Sequence, residues 1–279
     1  MGAICVTEAS EISQRVSERV SRRVFFGASA LLFAVSAAVT IVRCAAMSAM
    51  REIPMPGGWS MSMVWMRMPG QTWAGAATSF VGMWVVMMFG MMLPSLTTTL
   101  WRYSSVVGRA GRGEMRIYPL TALAGIGYFI VWTAFGLVVF AVGSTLAEVE
   151  LQQPALARAV PIAVGGVVLV AGALQFTAWK AHRLACCREA PGCGSTLSSD
   201  AVAAWRCGVR LGLHCSYCCA GLTLILLVLG VMDLRVMAVV AGAITVERLA
   251  PDSERAARGV GIGVVGAALI LIARATALR

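Results

Sequence analysis

Three groups of sulfur-bearing residues carry the chemistry that this sequence of 279 residues offers. In Leu211-Gly-Leu-His214-Cys215-Ser-Tyr-Cys218-Cys219, the first and last cysteines stand four residues apart on one helical face with Cys218 beside them. Two or three thiols, with His214 adjacent, can converge on one soft ion. Small unreactive cysteines in an apolar core are the plainer reading. A second set is Met83, Met87, Met88, Met91 and Met92. At 3.6 residues per turn, Met83, Met87 and Met91 stack on one face and Met88 and Met92 one step round it. Such a ladder of thioethers suits Cu(I), and methionine equally fills irregular cores.

The third set, Met47, Met50, Met55, Met61, Met63, Met66 and Met68, puts seven thioethers within 22 residues. The spacings Met61-x-Met63 and Met66-x-Met68 let two sulfurs reach one ion. The segment reads either as a capture loop for Cu(I) or as a loop lying in a membrane interface, anchored by Trp59, Trp65 and Trp73. Further along, Cys186, Cys187 and Cys193 lie near Lys180, His182, Arg183 and Arg188. A reducing compartment keeps such thiols free, either to relay a metal or to do nothing. Cys44 is placed to join the methionine loop, and Cys5 has no evident role.

Membrane helices must position these sulfurs. The chain is 59% apolar and 13% charged. Its apolar runs are Val24 to Val42, Trp73 to Trp101, Ile117 to Val142, Val160 to Trp179, Leu211 to Val231, Val236 to Ala250 and Gly259 to Ala273, the last two short. About 20 apolar residues cross some 30 Å of hydrocarbon, and there only a helix satisfies its own backbone polar groups. The expected fold class is therefore all-α, a polytopic transmembrane helix bundle of about seven spans, or six, over residues 24–273. It would carry a Met-rich outer loop at 44–72, a Cys-containing cytoplasmic loop at 180–210 and a tail at 274–279. Residues 1–23 form a lead-in whose Ile12, Val16 and Val20 allow an amphipathic helix on the membrane surface. The first run is too long for a signal-peptide core, and Arg43 stands where lipoprotein processing wants a small residue, so it is expected to remain as a helix.

The net charge is +10, from 22 arginines and one lysine against 13 acidic residues. With the N-terminus in the cytoplasm, 16 basic residues fall inside and seven outside, as the positive-inside rule asks. The charge is thus explained by membrane topology, and no nucleic-acid partner is implied. Glu247 and Arg248, near the inner end of the sixth run, are expected as an interfacial pair, with a buried Glu247 as the alternative. Hard divalent ions are disfavoured because the runs contain almost no carboxylates. Gly125-x-Gly127 and Gly261-x-Gly263 fall inside helical runs, so they signal no dinucleotide site. If the second run is centred near Met87 and the fifth near Gly221, then Met91, Cys215 and Cys219 share a depth, within about 10 Å of the midplane at 1.5 Å per residue.

Trp84-Val-Val-Met87-Met88-Phe-Gly-Met91-Met92-Leu93-Pro94 resembles the W-x-x-M-x-x-x-M-M-L-P signature of DUF2182, a family of bacterial integral membrane proteins predicted to bind metal. Gln175-Phe-Thr177-Ala-Trp-Lys180 with Cys187-Arg188 is similar to its Q-x-T-x-x-K…C-R segment, and Gly212 to Cys219 to its G-L-x-C-x-x-C-C segment. Val231-Met232-Asp233-Leu234 and Glu247-Arg248-Leu249 fit as well, so the likeness covers about Gly75 to Pro251. The chain departs from the pattern at Arg183, Leu211 and Ala220, where cysteine, histidine and tryptophan are usual; Cys186 or His214 could substitute. The resemblance implies metal binding within a membrane bundle.

Ligand softness adds the metal. The sequence predicts Cu(I) held among Met87, Met88, Met91, Met92, Cys215, Cys218 and Cys219, with His214 and Cys187 in reach, and collected by Met47, Met61, Met63, Met66 and Met68. Zinc at the cysteines is the second choice. The protein would serve as a transporter or metallochaperone in the lipid bilayer, with a copper chaperone or a copper-dependent enzyme as partner. The rivals are a thiol-disulfide oxidoreductase using the Cys215-x-x-Cys218 pair and a structural assembly subunit whose methionines only pack.

Overall fold

A computed structural model describes residues 2–48, 53–68, 70–109, 114–189 and 200–277. Among them the chain is all-α apart from one short hairpin. The helices are α1 (Gly2–Ser48), α2 (Trp73–Arg109), α3 (Glu114–Gln152), α4 (Pro154–Leu174), α5 (Ala178–Glu189), α6 (Ala201–Gly230), α7 (Leu234–Leu249) and α8 (Ser253–Ala277). Six of these, all but α5 and α7, are long and apolar enough to cross a membrane. Their outward faces carry Leu31, Val138, Val170, Ile262 and Ile270 in exposed positions, a surface suited to hydrocarbon rather than to water.

The Met-rich segment is not a bare loop. Ile53–Met55 (β1) pairs antiparallel with Trp59–Met61 (β2), and a 3-10 turn follows at Met63–Trp65. Gly57 and Gly58 take left-handed backbone angles in the tight connection, as hairpins of this kind require. Likewise much of the expected loop at 180–210 is helical: α5 runs to Glu189, and α6 begins at Ala201, ten residues before the apolar run. Cys193 lies outside the described residues.

Helix α3 packs against α6 so closely that there is no room for side chains at the crossing. A Cβ on Gly208 would collide with the Ala124 carbonyl, and one on Gly212 would lie 2.9 Å from the Tyr128 carbonyl oxygen. Small residues let helix backbones approach in this way when hydrocarbon supplies no hydrophobic drive. The seam sets Tyr128 beside the cysteines of α6. On the other side of α3, the Trp84 indole lies against Gly136 and donates to the Trp132 carbonyl at 2.9 Å, which fixes α2. Helix α8 returns antiparallel along α4, with Gly165 against Ile272 and Gly172 against Val264 and Val265.

Helix α6 ends at Gly230, whose φ of 129° turns the chain, and the Asp233 carboxylate caps α7 by accepting from the Arg235 and Val236 amides. Helix α7 therefore runs back along α6. Its 16 residues span about 24 Å, less than the roughly 30 Å of hydrocarbon. This corrects the expectation for Glu247 and Arg248. Glu247 is 2% exposed and pairs with Lys180 beside the Cys218 carbonyl, so it lies inside the bundle level with the middle of α6, and the partly buried Arg248 hydrogen-bonds Ser95 of α2.

Candidate metal centre

The cysteine motif lies on the buried face of α6. Cys215, Cys218 and Cys219 are each no more than 2% exposed. Cys215 Sγ is 3.9 Å from Cys219 Sγ, the i, i+4 neighbour that the spacing requires. It is also 3.9 Å from Met92 Sδ on α2, so α2 and α6 meet through sulfur. Above these three atoms the Tyr128 hydroxyl donates to Cys215 Sγ at 2.9 Å. Cys218 shares sulfur hydrogen bonds with Cys219 and with Cys187. Cys187 reaches the cluster from α5 and donates to the His214 carbonyl at 3.1 Å. Four thiols, one thioether and one phenol thus form a continuous cluster contributed by α2, α3, α5 and α6.

With metal–sulfur bonds of about 2.3 Å, ligand sulfurs stand about 4.0 Å apart in a trigonal site and about 3.8 Å apart in a tetrahedral one. The two separations from Cys215, to Cys219 and to Met92, fall in that range. Among the described residues no group of three or more His, Cys, Asp or Glu side chains is arranged to hold an ion. The third sulfur in contact with Cys215, beside Cys219, is the Met92 thioether, a soft neutral donor.

Helix α5 reaches the cluster because Thr177 caps it, its hydroxyl accepting the Lys180 amide at 3.3 Å. Lys180, Leu184 and Cys187 then fall on one face and are all buried. Lys180 Nζ donates to the Cys218 carbonyl at 2.8 Å and forms an ion pair with Glu247 at 2.7 Å. Both side chains are sealed in, 5% and 2% exposed. Arg248 Nη1 donates to Ser95 Oγ at 2.8 Å, and Ser95 in turn donates to the Met92 carbonyl. Cys187 lies outside the spanning helices; its hydrogen bond with Cys218, then burial, push its thiol well above the ordinary range.

The other expected residues divide. Met87, Met88 and Met91 are buried in the same core as Met92 and the cysteines. Cys186 contacts His182 at 3.6 Å rather than the cluster. His214 contributes its backbone carbonyl, while its ring Nδ1 is buried without a partner. Met55 and Met61 pack with Ala147 and Ala157 in a small separate core under the hairpin. Met66 and Met68 line a cleft with Trp65, Arg67, Gln71 and Glu148, and Met63 and Met47 are half-buried. Cys44 donates to the Met232 thioether at 3.9 Å. Met50 falls outside the described residues. Tyr128, Ser95 and Arg248 were not expected at the cluster. Arg248 had a readable signal, because the run that ends beside it is too short to span; Tyr128 had none.

Six helices long and apolar enough to span a membrane, enclosing buried thiols and thioethers, define an all-α bundle of the membrane type. The chain belongs to the PpoB2 family, described as copper chaperones, whose model matches residues 81–271. The match takes in α2 from Val81, all the cluster residues and most of α8. No curated protein and no solved structure matches the chain.

Proposed function

We propose that this protein is a membrane-embedded Cu(I) chaperone that holds its cargo at Cys215, Cys219 and Met92. The observation that carries the reading is the pair of 3.9 Å separations from Cys215 Sγ, to a thiol one turn along α6 and to a thioether on α2. Cys218 and Cys187 extend the thiols toward α5, which offers a route for passing the ion to a partner. Met87, Met88 and Met91 extend the thioethers along α2. Met66 and Met68 in the cleft beneath the hairpin would collect the ion, with the N-terminus in the cytoplasm of a bacterial cell and the hairpin outside its inner membrane, as the arginine distribution favours. Copper is the cargo rather than a resident cofactor. It requires soft, mostly neutral ligands, which the site supplies, and the family's description agrees.

The test is elemental analysis of the detergent-purified protein, loaded anaerobically with Cu(I), beside a variant with Cys215, Cys218 and Cys219 changed to Ser. One copper per chain that is lost in the variant is expected. No copper in the wild type, with the thiols recovered as a disulfide that cycles with an oxidant, would overturn the reading in favour of a thiol oxidoreductase.

A further inference from the structure

We propose that the cavity between α1, α2 and α3 binds one acyl chain of an anionic phospholipid, whose headgroup sits against the arginines of α1. The inference rests on the membrane placement above and is independent of the copper.

The cavity holds about 460 Å³. Leu93, Leu96 and Thr97 of α2 form its buried floor, and Leu32 of α1 and Ile126 and Ile130 of α3 stand exposed at its mouth. It exists because α1 packs along α2 and hardly touches α3. Its lining on α3 runs from Tyr118 to Thr133, about 22 Å of helix at 1.5 Å per residue. Spread over that length, the volume has a cross-section of about 20 Å², enough for one methylene chain and too narrow for two. Thr97, Thr121 and Thr133, which line it, each donate to a carbonyl of their own helix. The walls thus offer a guest little but hydrocarbon, and a guest that buried polar atoms there would leave them unmatched.

One end differs. The Ser21 and Tyr118 hydroxyls share a hydrogen bond of 3.1 Å and tie α1 to α3 across it. Phe25 and Phe26 pack on Trp101 beside that bond, and the Arg22 guanidinium lies 5.8 Å over the Phe26 ring. Arg19, Arg22 and Arg23 are exposed there, and among the described residues no carboxylate pairs with them. Aromatic side chains backed by arginines mark the level of the lipid headgroups. The guest that matches an apolar slot with a basic rim has a long hydrocarbon tail and a negative head at one end. An anionic phospholipid meets this with one chain in the slot and the other in the bilayer.

The experiment reconstitutes the full-length protein in vesicles of equal parts phosphatidylglycerol and phosphatidylcholine with the same acyl chains. The protein is re-extracted in mild detergent, and the lipid it keeps is weighed by native mass spectrometry. The wild type should keep one phospholipid, phosphatidylglycerol over phosphatidylcholine by about tenfold or more. Ala122→Phe, which fills the slot, should lose it. Ala267→Phe, on the exposed face of α8, should keep it. Changing Arg19, Arg22 and Arg23 together to Gln should bring the preference close to one. A wild type that keeps no lipid, or keeps both kinds equally, overturns the inference, as does a folded Ala122→Phe protein that keeps its lipid. Equal loss in the Ala267→Phe protein also overturns it, because the lipid would then belong to the general bilayer contact. Where Ala122→Phe does not fold, the arginine variant decides, and an unchanged preference overturns the site. Recovery of the wild type in water without detergent would overturn the membrane placement itself.

Discussion

Lys180 and Glu247 form an ion pair of 2.7 Å with both side chains buried, and the same ammonium also holds the carbonyl of Cys218. One lysine, the chain's only one, therefore ties α5, α6 and α7 together directly behind the thiols. Removing one partner leaves an uncompensated charge, so Glu247→Leu should lower stability by about 3–5 kcal/mol. The double variant Lys180→Met with Glu247→Leu should recover most of that loss. Thermal unfolding in detergent reads both, and a double variant no better than the single one would refute a charge-based origin.

The α3–α6 seam makes a sharper prediction. Gly208 faces the Ala124 carbonyl with no space for a Cβ, whereas Gly166 faces open space. Gly208→Ala should therefore force the helices apart and abolish folded protein or copper uptake. Gly166→Ala should be tolerated, with a gain of up to about 1 kcal/mol from helix propensity. Size-exclusion profiles and copper content of the two variants would separate them.

Neighbouring cysteines on α5 should behave differently. Cys187 is buried and held protonated by Cys218, while Cys186 is half-buried and contacts His182. A raised thiol pKa means that the thiolate is scarce at pH 8 and appears only well above it, so iodoacetamide should modify Cys186 first and Cys187 slowly. Peptide mass spectrometry gives the order. Equal rates would show that Cys187 is not docked on α6.

Methionines should sort by location rather than by number. Met92→Leu should remove one sulfur from the first shell of bound copper, visible by X-ray absorption. Met61→Leu, in the small core under the hairpin, should leave that shell intact and cost less than about 1.5 kcal/mol. If both variants gave the wild-type spectrum, the thioether would have no place in the site.

Much of this was legible in the residues. Runs of apolar side chains announced the long helices, and the i, i+4 interval of Cys215 and Cys219 announced their contact, because helical periodicity is a local property. That Met92, rather than Met91, meets Cys215 depends on the rotation of α2 about its axis, which Trp84 and Gly136 set from another helix. The hairpin was signalled by Gly57 and Gly58 between two short stretches, a turn signal that the density of methionines around it obscures. Helix α5 hid behind its composition. Its inward stripe contains a lysine, which looks like a surface residue until Glu247 is supplied from far along the chain.

Helix α5 touches α6 through two residues that are two turns apart, Lys180 at the Cys218 carbonyl and Cys187 at the His214 carbonyl. Lifting it from the thiols would part opposite charges in a poorly polarisable interior, whereas Met87, Met88 and Met91 on α2 lie in an apolar core. The protein thus has a latched side and an unlatched one. Exchange of metal across the latched side should quicken in the Lys180→Met, Glu247→Leu double variant, and stopped-flow transfer to a chelator would time it.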